Sequence, residues 1–204
     1  MYNDKLFLNN YWKEYEKLII NKRDDSKIIS FRNALKETVD NKGELYFVGN
    51  GASASLSSHA ATDFTKQAKI KAKAFNDHNL ITALANDYGY DNWVAKAIQY
   101  YVKPQDRVIF ISVSGNSPNL VNGLNFAKNK NIATSSLTGS DQNNYLNSNS
   151  DCPIWVNSSS YNIVESMHTI LLTLVIDLFI GKKIYSVSDW YDFLKYVNLN
   201  PEYY

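Results

Sequence analysis

The sequence predicts an α/β protein with a mainly parallel sheet and helices on both of its faces. Three observations predict it. Short apolar runs alternate with helical patterns from residue 44 onward. Two of those runs, Leu45–Val48 and Arg107–Val113, lead directly into turns rich in glycine and serine and then into helix. Sheets of this kind bind ligands at the carboxyl ends of their strands, and three polar segments reach that edge: Gly49–Ser58, Ser112–Ser117 and Thr138–Gly139.

Tyr2–Val39 is helical by pattern, in two pieces. Leu6, Tyr11, Tyr15, Leu18 and Ile19 mark one apolar side. The pattern breaks near Arg23-Asp24-Asp25-Ser26 and resumes with Ile28, Ile29, Phe31 and Leu35. Ser26 is the expected N-cap of the second piece. Helices placed ahead of the first strand need a sheet face or a second subunit to pack on. Leu45-Tyr46-Phe47-Val48 is too short for a helix and has the aromatic and β-branched content of a buried strand. Gly49-Asn50-Gly51 breaks it, and a helix follows.

Ala72–Phe75 is a brief strand, and Leu80–Leu84 is an apolar helix or loop. Ala85–Asp91 is polar and glycine-bearing, and is expected to return to the ligand side. Asn92–Val102 is helical and stops at Lys103-Pro104. Arg107–Val113 is a continuous apolar strand. Pro118 then stands at the first helical position, which suits its missing N–H, and Leu120, Val121, Leu124 and Ala127 keep helical spacing. Ile132–Leu137 is a strand, Asp141–Ser150 a polar loop, and Pro153–Val156 a last short strand. Ile163–Ile180 is the strongest helix and ends at Gly181. Ser186–Tyr196, with Trp190 and Phe193, makes a short final helix. The expected organisation is N-terminal helices over 1–43, a ligand-binding α/β domain over 44–181, and an aromatic tail over 182–204.

The 204 residues are 45% hydrophobic and 20% charged, enough for one domain with a full core. A formal net charge of +1 gives no reason to expect nucleic acid or an anionic membrane as partner. The single cysteine, Cys152, excludes an internal disulfide and a cysteine zinc cluster. No signal peptide is expected, and the longest apolar stretch, Thr169–Ile180, is about half a membrane span and is broken by Asp177. The expected setting is cytoplasmic. The 15 tyrosines and 9 phenylalanines point to large buried or intersubunit aromatic surfaces.

The first turn admits competing readings. Gly49, Gly51 and Ala54 fit a loose dinucleotide fingerprint, with Asp77 as the ribose-binding acid. Ser53, Ser55, Ser57 and Ser58 favour a small terminal phosphate instead, because hydroxyls add donors. A plain tight turn is the third reading. In the second turn Ser112, Ser114 and Ser117 surround Gly115-Asn116. With a helix N-terminus beside them they suit a phosphate monoester, held by neutral donors at ~0.5–1.5 kcal/mol each. His59 and Asp63 are four apart and share a helix face; Glu165 and His168 are three apart on the late helix. Together they suit a metal site or an acid/base set.

Five segments carry a resemblance: G-N-G-A-S-A-S-L-S-S-H-A-A-T-D-F-T at 49–65, A-N-D-Y-G-Y-D at 85–91, I-S-V-S-G-N-S-P-N-L-V at 111–121, L-T-G at 137–139 and I-V-E-S-M-H at 163–168. In order and spacing the chain resembles the sugar isomerase (SIS) domain family, most closely the phosphoheptose isomerases and their non-catalytic relative, the DnaA initiator-associating protein. The resemblance implies a five-stranded, mainly parallel αβα sandwich and a homotetramer with sites between subunits. It implies phosphate binding by Ser112, Ser114, Asn116 and Ser117, with Asn50, Gly51, Ala52, Ser53 and Asp87 on the sugar. It implies no nucleotide cofactor.

Isomerases of this family interconvert sedoheptulose 7-phosphate and a mannoheptose 7-phosphate through an enediol. A glutamate and a histidine move the proton, and zinc is often bound nearby. Here Asp63 stands at the glutamate position, Glu165 at a usual glutamine, and Thr173 at the histidine. The implied catalytic set is Asp63, Glu165 and His168, and the implied zinc ligands are His59, Asp63 and Glu165. The function implied is heptose phosphate isomerisation for bacterial surface sugars. The alternative is a non-catalytic phosphosugar-binding or protein-interaction role.

Overall fold

The computed structural model describes residues 3–21 and 23–183. Strands β1 (Leu45–Gly49) and β3 (Arg107–Ser112) are buried at every residue, as strands covered on both faces should be. With β2 (Ala72–Ala74), β4 (Ala133–Thr138) and β5 (Cys152–Trp155) they form one all-parallel sheet in the order β2-β1-β3-β4-β5. The five-stranded parallel sandwich expected from the sequence is the fold observed.

The helices are α1 (Asp4–Glu16), α2 (Asp25–Asp40), α3 (Ala52–Lys66), α4 (His78–Tyr88), α5 (Trp93–Tyr101), α6 (Pro118–Asn129), α7 (Tyr145–Asn149) and α8 (Tyr161–Ile180). Alternate strand residues point to opposite faces and so divide the core. Phe47, Ile109 and Ile111 pack with Phe31 of α2, Phe64 of α3 and Val164 and Leu172 of α8. Val48, Val108 and Phe110 pack with Leu84 of α4, Trp93 and Val94 of α5 and Leu120 of α6. Helix α8 is apolar and long enough to span a membrane by composition, with a mean hydropathy of 1.9 over its most apolar window. Its Val164, Leu171, Leu172, Val175 and Ile176 are buried in the core.

Several boundaries differ from expectation for local reasons. Asp24, not Ser26, caps α2: its carboxylate accepts from the Lys27 N–H and from the Ser26 hydroxyl. A π-helical turn at Lys17–Asn21 carries the chain out of α1. Leu80–Leu84 lies within helix α4, which Asp77 caps by accepting from the Leu80 N–H at 3.0 Å. The dinucleotide reading thereby loses its ribose acid to a helix cap. Asp141–Ser150 contains α7, started by Asn144. Gly181 closes α8 at φ 78°. Among the described residues strand β2 has one sheet neighbour, β1. The Thr65 hydroxyl accepts from the Ala72 N–H and donates to the Ala72 carbonyl, both at 3.2 Å. The aromatic residues of the tail and the helix expected over Ser186–Tyr196 lie outside the described residues.

Candidate functional site

Strands β1 and β3 are direct neighbours, and the order of the sheet reverses between them. Crevices of this kind receive ligands. The turns that follow the two strands therefore stand side by side.

In the first turn Gly51 adopts φ 56° and ψ −125°, a backbone state that side chains disfavour. The carbonyl oxygens of Asn50 and Gly51 accept from the Ser53 and Ala54 N–H groups and start α3. Gly49 is packed tightly: a Cβ there would lie 2.7 Å from the Ser53 Cβ and 2.8 Å from the Ile111 carbonyl oxygen. The Asn50 side chain exchanges amide hydrogen bonds with Asn119 and accepts from the Tyr90 hydroxyl. Ala85–Asp91 thus does return to the ligand edge, through Tyr90.

In the second turn the Ser112 hydroxyl accepts from the Gly115 N–H at 3.1 Å, and that of Ser114 accepts from the Asn116 N–H at 3.3 Å. Both keep an O–H to donate. Ser117 caps α6 without a side-chain bond, and Pro118 starts the helix as expected. Asn144 supports this turn from behind. It is buried and donates to Thr138, Gly139 and Asp141. Gly115, at φ +65°, presses so closely on it that a Cβ would come within 1.8 Å of the Asn144 Oδ1. Helix α7 adds two bonds: Leu146 N–H to the Gly115 carbonyl, and Tyr145 N–H to the Asn116 Oδ1.

Beside the first turn lies a cavity of about 300 Å³, lined by Ala52, Ser53 and Leu56 of α3 and by Glu165, His168 and Thr169 of α8. His168 is fully buried. Burial pushes its ring down to about 4, a shift that the nearby Thr138 backbone only partly opposes. Neither ring nitrogen makes a hydrogen bond of sound geometry with the described residues. His168 is therefore a neutral imidazole across the physiological range, suited to accept or donate a hydrogen bond but not to carry charge.

The implied zinc ligands are not gathered into one cluster among the described residues of a single chain. His59 Nε2 and Asp63 Oδ2 meet at 2.9 Å, but no group of three His, Cys, Asp or Glu side chains gathers among the described residues. The reason is position along the helices. Glu165 shares its cavity with Ala52, Ser53 and Leu56 near the start of α3, whereas His59 and Asp63 lie roughly one to three turns farther along that helix. The same separation keeps Asp63 apart from Glu165 and His168, so the expected catalytic trio is not one cluster within the chain. Asp87 is exposed on the last turn of α4, accepting from the Asn86 amide. Thr173 donates its hydroxyl to the Thr169 and Ile170 carbonyls of its own helix.

Sequence reasoning missed Asn119, Asn144 and Tyr90. Asn119 carried one usable signal, since it follows the Ser117-Pro118 helix start directly.

The SIS domain family matches residues 10–139. A phosphoheptose isomerase of Helicobacter pylori strain P12 is 33% identical over 149 residues, covering 70% of this chain and 77% of that one. Another, from Akkermansia muciniphila, is 30% identical over 155 residues, covering 73% and 81%. A solved phosphoheptose isomerase from Francisella tularensis aligns with a TM-score of 0.79 at 21% identity, covering 89% of this chain and all (100%) of that one. One from Neisseria gonorrhoeae aligns at 0.78 and 23% identity, covering 86% and 98%. The two structures show a shared fold.

Proposed function

Because the chain belongs to the SIS domain family, we propose that it is a phosphosugar isomerase of phosphoheptose type, interconverting sedoheptulose 7-phosphate and a mannoheptose 7-phosphate. The observation that carries this reading is the placing of two serine- and glycine-bearing turns at the ends of adjacent strands, where the sheet order reverses. The phosphate would rest on the Ser112, Ser114 and Ser117 hydroxyls, beside Asn116 and the α6 N-terminus. The sugar chain would run past Asn50, Gly51, Ala52 and Ser53, with Asp87 approaching its hydroxyls.

Glu165 is assigned the proton transfer because it lines the cavity next to Ser53. Its carboxylate removes a proton from C1 of the ketose. The electrons of that C–H bond form the C1–C2 double bond, and the C2 oxygen takes up a proton to complete the enediol. Returning a proton to C2, with loss of the O1 proton, yields the aldose. Fixed hydrogen-bond donors around the oxygens stabilise the charge that develops on them. Asp63, steadied by His59, would serve a site completed by a second copy. No step is routed through zinc, because one chain does not gather its ligands.

A homotetramer belongs to the same proposal. Helix α1 buries no residue within the chain, and its Leu6, Phe7, Leu8 and Trp12 are 48–64% exposed. On α8, Ile170, Leu174 and Leu178 form a second exposed apolar stripe. Such surface calls for a protein partner, and further copies of the chain fit it.

One observation favours a second reading, phosphosugar binding without turnover. The position where the family has its proton-moving histidine is Thr173, whose hydroxyl is committed to backbone carbonyls. Incubation with sedoheptulose 7-phosphate in deuterium oxide, followed by NMR, separates the two. Deuterium entering C1 and C2, together with aldose formation, is expected, and Glu165→Gln should abolish both. Binding without deuterium entry selects the second reading. Failure to bind the sugar phosphate rejects both.

A further inference from the structure

Asn50 and Asn119 stand 69 residues apart, yet each donates its side-chain amide to the carbonyl oxygen of the other, at 3.0 and 2.9 Å. Asn50 lies between the two glycines of the first turn, and Asn119 follows Pro118 at the start of α6. At 1% exposure Asn119 is shut away from any ligand. Tyr90, in a short 3-10 turn over Tyr90–Asn92 just past α4, adds its hydroxyl to the same Asn50 oxygen at 3.2 Å. The Asn50 oxygen thus accepts two bonds, and one of its own two N–H groups remains to donate elsewhere.

We infer that Asn119 and Tyr90 are positioning residues, which act through Asn50 to lock the turn after β1 to the turn after β3. The inference rests on the phosphosugar reading above. A ligand with a phosphate at one end and hydroxyls along its chain must touch both turns together. The turns sit on separate strand ends, so their spacing needs a tie of its own. Paired neutral amides supply the tie without adding charge that would compete with the anion. Displacing one contact by ~1 Å can cost roughly 100-fold in function.

The pair also makes a specific chemical demand. Each partner must offer one donor and one acceptor. A carboxylate at 119 would set two acceptors face to face, whereas the protonated acid restores a donor. Burial raises a carboxyl's affinity for its proton. Among the described residues, the Tyr90 phenol is the ionisable side chain hydrogen-bonded to the pair.

The test is calorimetric affinity for sedoheptulose 7-phosphate, measured on the unaltered chain, Asn119→Asp and Tyr90→Phe, with melting temperatures alongside. Asn119→Asp should bind at least ~10-fold more weakly at about pH 7.5 and return to within ~3-fold of the unaltered chain at about pH 5. A general loss of stability would not recover on acidification. Tyr90→Phe should lose about 3-fold at both pH values. Tyr90 is 55% exposed, so its variant carries little folding risk and decides alone if Asn119→Asp does not fold. Unweakened binding by Asn119→Asp near neutrality, equal weakness at both pH values in a protein that melts normally, or no change in Tyr90→Phe overturns the lock. An unaltered chain that ignores the sugar phosphate fails differently: it overturns the phosphosugar reading, and the lock with it.

Discussion

His168 ties stability to pH through one buried ring. Its folded value is about 4 against an ordinary 6.5, because burial penalises the charged form. The sign follows from where the proton goes. The folded value is lowered, so the unfolded chain binds the proton first as pH falls. The contribution is complete above pH 6.5 and drains away between 6.5 and about 4. At about 1.4 kcal/mol per pH unit, the full window amounts to about 3 kcal/mol. For a chain of this size that corresponds to an extra fall in melting temperature of roughly 6–12 °C. Thermal melts of the unaltered chain and of His168→Leu, taken across the window, measure it. Leucine removes the titration and the orphaned ring nitrogens together, while the other ionisable groups are the same in both proteins. The variant should therefore lose less stability on acidification. Parallel curves for the two proteins would refute the assignment of a buried neutral ring.

Three further outcomes are expected. Gly115→Ala combines a positive φ with a Cβ driven into Asn144, so it should cost at least about 3 kcal/mol in a thermal melt and abolish phosphate binding; an unchanged melt would show that this contact yields freely. Gly51→Ala meets nothing within 4 Å, so the backbone alone sets its cost, at about 1–3 kcal/mol; a loss larger than that of Gly115→Ala would reverse the reasoning. Thr173→His restores an imidazole where the family has one and should raise turnover of sedoheptulose 7-phosphate by ~100-fold in a coupled assay; an unchanged rate in a folded variant counts against a proton-transfer role at that position.

Much of the fold was legible because local and long-range demands agree. Leu45–Val48 and Val108–Ile111 are unbroken apolar runs, as suits strands covered on both faces. Pro118 and Gly181 mark a helix start and a helix end by backbone chemistry alone. Helix α7 was hidden because it is only five residues long, Tyr145–Asn149, with Leu146 alone buried, and it forms through the Asn144 cap and the bonds to Gly115 and Asn116. The serines of both turns were legible as hydroxyls at the carboxyl edge of the sheet. The wide spacing of Glu165 and Asp63 was not, because it depends on how far α8 slides along α3, and no spacing within either helix encodes that. The Asn50–Asn119 pair was equally hidden, since an asparagine in a turn looks the same whether it faces ligand or another amide.

The small bracket that Thr65 makes on Ala72 decides more than its two bonds suggest. It occupies the Ala72 N–H and carbonyl, two of the backbone groups that β2 turns away from β1, and Lys71 and Lys73 flank the spot. Sideways growth of the sheet is thereby discouraged at that margin. On the homotetramer proposal, copies would then join through helical flanks such as the exposed leucines and tryptophan of α1, and not by stitching backbone to backbone.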